Sequence, residues 1–283
     1  MKRALNELVN IEQLNIGDDE LAEIAKILRL RRNFSLSVYK DKCMKRRVAI
    51  RMRSSRCNDA ASYCTLLRQS EKELDLLKKA LTIHVSQFFR NPSMFESLRI
   101  EIFPLLYQNC AENGAPLRIW SLGCAGGEEA YSLAILLREH FARDLRQTVT
   151  TIDATDIDED TLDAARKAEF NEDRLKDLPD EFYGRYFHPS GSRMQLSEVI
   201  REMVTFYKDD ITAVEKFLPC NLVLCRNTLI YFTRPEQGKI LHGLAEILPV
   251  GGMLVLGKSE TLVGEVRRKF EVVCPVERIY QRV

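Results

Sequence analysis

The sequence predicts an α/β fold: a parallel sheet flanked by helices, preceded by an all-α domain and carrying a small antiparallel β-insert. Three observations predict it. Residues 18–82 contain neither Gly nor Pro and repeat apolar residues at helical spacing. Beyond Asn91-Pro92, short aliphatic runs alternate with helical segments, the pattern of a parallel sheet covered on both faces. Residues 180–206 break that alternation with a Pro-Ser-Gly-Ser turn between short extended segments. The expected division is a helical domain over residues 1–85 and a second domain over 86–283, with the insert near 180–206.

In the helical part, "DDELAEIAKILRL" places Leu21, Ile24, Ala25 and Leu28 on one face, with Asp18 or Asp19 as the expected N-cap. "KDKCMKRRVAIRMRS" repeats Met44, Val48 and Met52 every four residues, as a buried stripe does. "DAASYCTLLRQS" and "EKELDLLKKALTI" supply two more helices, and four short helices with tight connections make a small bundle. In the second part the expected strands are "LRIWSLG" (117–123), "VTTIDATDI" (149–157), "NLVLCRN" (221–227) and "GMLVLG" (252–257). Helices "GEEAYSLAILLREHF", "DEDTLDAARKAEF" and "PEQGKILHGLAEILP" follow the first three of them.

Charge supports two units with different tasks. Residues 1–90 carry 19 Lys/Arg and 11 Asp/Glu, while the whole chain is only +1, so the remainder is acidic. No apolar run approaches the roughly 18–20 residues that span a bilayer. "MKRALNELVNIEQLN" lacks the apolar core of a signal peptide. The 8 cysteines form no C-x-x-C pair and are accompanied by 4 histidines, which argues against a zinc site or a disulfide framework. A reducing cytoplasm is the expected location.

The most informative stretch is "WSLGCAGGEEAYS" (120–132). Gly123, Gly126 and Gly127 loosen the turn between strand and helix, so that a ligand can approach the backbone. Their G-x-x-G-G spacing is not the dinucleotide pattern. Glu128 at the helix start would repel a pyrophosphate and would welcome an ammonium or sulfonium. The second strand ends in "ATDID", which puts Asp156 where an acid binds ribose hydroxyls. Turn glycines with two such acids suit S-adenosylmethionine better than NAD or ATP. Another nucleotide, or a purely structural turn, stays open at this point. In "LCRNTLIYF", Arg226, Asn227 and Tyr231 close the third strand at the sheet edge where ligands collect, although a packed tyrosine would read the same way.

Four ordered blocks, "LTIHVSQFFRNPSMF", "IWSLGCAGGEEAYSLAILL", "ATDIDEDTLDAAR" and "LCRNTLIYFTRPEQGKILHGLAEILPVGGMLVLGKSE", resemble the CheR-type chemotaxis receptor methyltransferases over most of the chain. The resemblance implies a Rossmann-like S-adenosylmethionine-dependent domain with an antiparallel β-subdomain, behind a helical domain. It implies that Glu128 takes the donor's amino group and Asp156 its ribose. Gly123 lies in the donor loop, and Asn227 with the adjoining Thr228 contacts the donor near its methionine portion. Arg90 lies at the reacting centre and is flanked by Tyr231. Asp210 falls where the family more often has asparagine near the adenine. It also implies donor contacts from His84, Ser86 and Arg90: Ser86 keeps a hydroxyl where many members have threonine, and His84 departs from their asparagine.

The implied reaction transfers methyl to receptor glutamate carboxylates, giving methyl esters and S-adenosylhomocysteine, with no metal. Glutamate is ionised at pH 7, so no general base is required, and Arg90 is expected to position the substrate. A non-catalytic donor-binding signalling module and a methyltransferase with a substrate outside chemotaxis are the alternatives.

Between Arg29 and Arg56 lie 11 basic residues and one acid. At about 100° per residue, Lys42, Lys45, Arg46, Arg53 and Arg56 fall on one side of the second helix. No aromatic residues interleave them, which speaks against nucleic acid. The resemblance implies the acidic methylation helices of transmembrane chemoreceptors as the partner, met by a monomer that does not insert into the membrane. The short "HPSGS" turn (188–192) leads to the expectation that no receptor-tail tethering peptide is needed.

Overall fold

A computed structural model of the protein describes residues 16–82 and 85–283. The expectations for "MKRALNELVNIEQLN" and for His84 therefore lie outside the described residues. The chain divides into two units. The described residues up to 82 group with Tyr231–Thr233, and residues 85–230 group with 234–283.

The helical unit contains α1 (Asp18–Arg32), α2 (Asp41–Ser54), α3 (Ala60–Gln69) and α4 (Glu71–Leu81). Its core is the stripe that periodicity predicts: Leu21, Ile24 and Leu28 from α1, and Met44, Val48 and Met52 from α2, with Tyr63, Leu67, Leu74, Leu77 and Leu81. The cap of α1 differs from expectation. Gly17, extended at φ −70° and ψ 170°, takes the N-cap position, and its N–H donates to Glu20 Oε2 at 2.8 Å. Asp18 instead accepts from Lys45 Nζ at 2.5 Å. Within the bundle Glu73 is buried, forked by Arg51 at 2.7 and 2.6 Å and bonded by the Tyr63 hydroxyl at 3.0 Å. Burial pushes that hydroxyl's pKa upward.

The second unit opens with α5 (Pro92–Ser97) and α6 (Phe103–Asn113), then β1 (Leu117–Leu122), α7 (Glu128–His140), β2 (Thr150–Asp156) and α8 (Glu159–Lys167). It continues through β3 (Glu169–Phe170), α9 (Asp180–Tyr186), β4 (Phe187–Ser190), β5 (Arg193–Leu196), β6 (Val204–Lys208) and β7 (Leu222–Cys225). It closes with α10 (Arg234–Ile247), β8 (Met253–Leu256), β9 (Phe270–Cys274) and β10 (Ile279–Arg282).

Seven strands form the main sheet in the order β6-β2-β1-β7-β8-β10-β9. β1 pairs in parallel with both β2 and β7, so the chain winds outward on both sides of β1. The carboxyl edge at such a reversal is where an open α/β sheet leaves a crevice. Aliphatic residues of β1, β2 and β7, among them Leu117, Ile119, Ile152 and Leu224, pack fully buried with Leu133, Ala134 and Leu137 of α7.

Two expectations are corrected here. The sheet is mixed rather than parallel, because β10 runs antiparallel to β8 and β9. The antiparallel insert does not coincide with residues 180–206: its strands begin earlier, at Glu169, and end at Leu196. It joins β3, β5 and β4 alone, while Asp180–Tyr186 is helical and Val204–Lys208 pairs in parallel with β2. The β6 segment alternates buried and exposed residues because it lies at the edge of the main sheet. That pattern looks the same in a hairpin strand, so periodicity could not assign it.

Candidate functional site

The turn after β1 is built for close approach. Gly123, Ala125 and Gly127 hold φ of 75°, 49° and 85°. A Cβ on Gly123 would come 2.6 Å from Thr228 Oγ1, and one on Gly127 would come 2.8 Å from the Phe206 ring. Both glycines are therefore required by conformation and by space. The N–H groups of Gly123 and Cys124 both donate to the Thr155 carbonyl at 2.9 Å, which fixes the turn against the end of β2.

Two carboxylates line this turn. Asp156, only 8% exposed, accepts from the Ala125 N–H at 3.0 Å through Oδ2 and from the Asp158 N–H at 3.1 Å through Oδ1. Glu128, 3% exposed, begins α7 and folds back over the turn, so that a Cβ on Gly126 would lie 3.0 Å from both of its oxygens. The helix N-terminus favours its negative charge. Arg174 Nη1 lies 3.4 Å from Glu128 Oε1.

The next residue, Glu129, accepts from Ser121 Oγ and from Arg226 Nη1, each at 2.9 Å. Asn227 follows Arg226 in a left-handed conformation, φ 58°. Its N–H and that of Gly257 donate to Glu260 Oε2 at 2.9 and 2.7 Å, while the N–H groups of Thr228 and Ile230 donate to Oε1 at 2.9 and 3.2 Å. One buried carboxylate thus gathers the loop after β7 and the end of β8. Burial pushes its pKa up, against the pull of those hydrogen bonds.

Asp210 follows β6, whose end is tied to β2 by the Asp209 N–H donating to the Asp156 carbonyl at 3.0 Å. Asp210 Oδ1 already accepts from the Thr212 N–H and hydroxyl at 2.9 and 2.8 Å, closing a local turn. Ser86 and Arg90 lie on the segment entering this unit. The Ser86 carbonyl accepts from Arg174, and Arg90 Nη1 donates to the Val85 carbonyl at 3.3 Å.

The structure thus brings Gly123, Glu128, Asp156, Asn227 and Thr228 to one sheet edge. Tyr231 groups with the helical unit instead, its ring 5.9 Å beneath the Arg47 guanidinium. Sequence reasoning missed Arg174, Glu129 and Glu260, and read Arg226 only as an edge polar residue. Arg174 sits in "NEDRL", which carries no signal. A charged residue closing the apolar run "NLVLCRN" was the available hint for Arg226.

The basic face of α2 is narrower than predicted. Lys42 and Arg46 are exposed, Arg53 is half-buried, and Lys45 is paired with Asp18. Arg56 is exposed but lies beyond the helix, past the Ser55 C-cap, in a left-handed conformation of φ 60°. It therefore does not share the helix face. Among the described residues no His/Cys/Asp/Glu cluster could hold a metal ion, and no helix is long and apolar enough to cross a membrane.

Comparison with known proteins bears on this arrangement. Residues 84–277 match the family model described as "CheR methyltransferase, SAM binding domain", and residues 19–82 match "CheR methyltransferase, all-alpha domain". The chain is 35% identical over 207 residues to a chemotaxis protein methyltransferase 2 of Vibrio cholerae, covering 71% of this chain and 70% of that one. It is 30% identical over 258 residues to a chemotaxis protein methyltransferase 2 of Pseudomonas aeruginosa, covering 89% and 90%. An uncharacterized 104.1 kDa protein of Rhodobacter capsulatus is 36% identical over 264 residues, 93% of this chain, which spans only 27% of that protein's length. Two buried carboxylates beside a glycine turn suit a cationic, ribose-bearing donor, and the matches cover both units: the chain belongs to the CheR methyltransferase family and is an S-adenosylmethionine-dependent methyltransferase.

Proposed function

We propose that the protein esterifies glutamate side chains of chemotaxis receptors with the methyl group of S-adenosylmethionine. The observation that carries the donor half is the pair Glu128 and Asp156, buried on either side of one glycine turn. The named relatives in Vibrio cholerae and Pseudomonas aeruginosa support the receptor half.

Each residue has a defined task. Glu128 takes the donor's ammonium, which as a charged hydrogen bond contributes about 1.5–3 kcal/mol. Asp156, anchored by the Ala125 and Asp158 N–H groups, accepts from the ribose hydroxyls. Gly123 leaves the backbone open, with Thr228 packed against it, and Asn227 lines the same edge. Asp210 accepts from the adenine side, where an ionised carboxylate cannot also donate. Ser86 and His84 belong to the entering segment. The donor supplies an electrophilic methyl on a sulfonium. The incoming glutamate needs no base, since it is ionised at neutral pH; it needs alignment and a dry slot. Arg90 orients it without activating it, because a guanidinium grip lowers a carboxylate's nucleophilicity. Lys42 and Arg46, with Lys45, Arg53 and Arg56 around them, attract the acidic methylation helices.

The β4–β5 turn consists of Gly191 and Ser192 alone, which supports action without a tethering peptide. Micromolar binding of a receptor-tail peptide to the insert would overturn that part. The whole reading is tested by incubating the protein with methyl-labelled donor and cytoplasmic receptor fragments. Base-labile release of labelled methanol is expected; label that survives alkali would point to another acceptor atom.

A further inference from the structure

Two adjacent carboxylates begin α7, and each holds an arginine from elsewhere in the chain. Arg174 lies 3.4 Å from Glu128, and Arg226 lies 2.9 Å from Glu129. Both arginines then reach the segment that carries Arg90. Arg174 donates to the Ser86 carbonyl, and its own carbonyl accepts from the Phe88 N–H at 2.9 Å. Arg226 Nη2 donates to the Arg90 carbonyl at 2.9 Å and to Asn91 Oδ1 at 2.7 Å.

The Arg226 pair is the deeper one, with side-chain exposures of 3% and 14%. Replacing such a pair by apolar residues is often neutral for stability. Arg226 Nε is buried without a hydrogen-bond partner among the described residues, so the guanidinium is not placed for full satisfaction. What its planar fork fixes is geometry between three elements: α7, the end of β7 and the Arg90 turn. That turn needs fixing. Phe89 and Asn91 flank Arg90 at φ of 50° and 65°. A phenylalanine in that region is strained and persists only where its surroundings over-determine it.

We propose that Arg226, oriented by Glu129, is a positioning residue for Arg90, holding the Arg90 carbonyl and Asn91 side chain so that the arginine is presented for methyl transfer. The proposal rests on the reading of Arg90 given above. Arg226 acts through the backbone of Arg90 and touches neither reacting group. Glu129 supplies its orientation because Ser121 fixes the other carboxylate oxygen.

Arg226→Lys keeps a cation beside Glu129, but its single ammonium nitrogen cannot reproduce the two-nitrogen fork that spans Glu129 on one side and the Arg90 carbonyl and Asn91 Oδ1 on the other. Asn91→Gly keeps the left-handed backbone and removes Oδ1. From the sensitivity of reaction rates to ångström-scale misplacement, kcat should fall about 10–100-fold in Arg226→Lys and several-fold in Asn91→Gly, with S-adenosylhomocysteine affinity within about threefold. In the double variant Arg90→Ala/Arg226→Lys, turnover should equal that of Arg90→Ala alone. Multiplying effects, or unchanged kcat in both single variants, would overturn the positioning role. If Arg226→Lys fails to fold, Asn91→Gly and its combination with Arg90→Ala decide the matter. Wild-type turnover in Arg90→Ala would overturn the reading of Arg90 itself, and the positioning role with it.

Discussion

Arg90 stands between two residues whose backbone is left-handed, and the Phe89 N–H is pinned at 2.9 Å to Ser132 Oγ, itself bonded to the Glu128 carbonyl at 2.6 Å. The backbone of this turn is therefore set by α7, while the Arg90 side chain remains partly accessible. Arg90→Ala should leave the turn intact and remove alignment. We expect kcat to fall about 100-fold, and by more than donor affinity does. Steady-state kinetics beside product titration would check this, and equal losses in both would assign Arg90 to donor binding instead. The residue was singled out in the sequence because it lies within the specific block "LTIHVSQFFRNPSMF". Its strained neighbour was not, since nothing about a phenylalanine announces φ 50°. Glu128 and Asp156 were legible for a different reason: carboxylates beside turn glycines are chemically unusual. Arg174 escaped, and Arg226 was read only as an edge residue without its partner, because their carboxylates lie 46 and 97 positions away in the chain.

The loop from Asn227 to Ile230 depends on one carboxylate. Four backbone N–H groups converge on Glu260, which is 4% exposed. Glu260→Gln puts an NH2 group against some of those donors. It should lower stability by about 2–3 kcal/mol, read as a reduced urea midpoint. A midpoint within experimental error of wild type would show that the loop holds itself. The pH dependence has a definite sign. Burial raises the folded pKa of this carboxyl above the ordinary 4.5. Between that value and the raised one the native state binds more protons than the unfolded chain. The Glu260 contribution to stability therefore falls as pH rises through that window, and it is largest below it. At this scale the sequence predicted the parallel strands well, because buried strands are continuous aliphatic runs bounded by Gly and Asp. It missed β9 and β10 because "FEVVC" and "IYQR" are short, partly exposed edge segments with no helix between them. It placed Val204–Lys208 in the insert because alternation reveals a half-exposed strand but not its sheet.

Across the whole molecule, charge is divided as the sequence indicates, a basic helical unit against an acidic catalytic one. Within the helical unit much of that charge is internal. Arg51 is forked to Glu73, Arg47 donates to the Ala80 carbonyl, and Arg32 bonds Asp75 at 2.6 Å. Lys42 and Arg46 stay exposed, and the proposed steering rests on them. Replacing both by Glu should raise KM for receptor fragments roughly tenfold at low salt, shrink the salt dependence of kcat/KM, and leave donor affinity unchanged. An undiminished salt dependence would place the electrostatic contact elsewhere. The donor chemistry is the claim on which the substrate, the roles of Arg90 and Arg226 and the ester product all depend. Its most direct test is calorimetric titration of S-adenosylhomocysteine into the folded wild-type protein and the Glu128→Gln variant. A single site is expected in the wild type, with affinity reduced about 10–100-fold in the variant by loss of one charged hydrogen bond. No heat in the wild type, or equal affinity in the two proteins, would contradict the assignment.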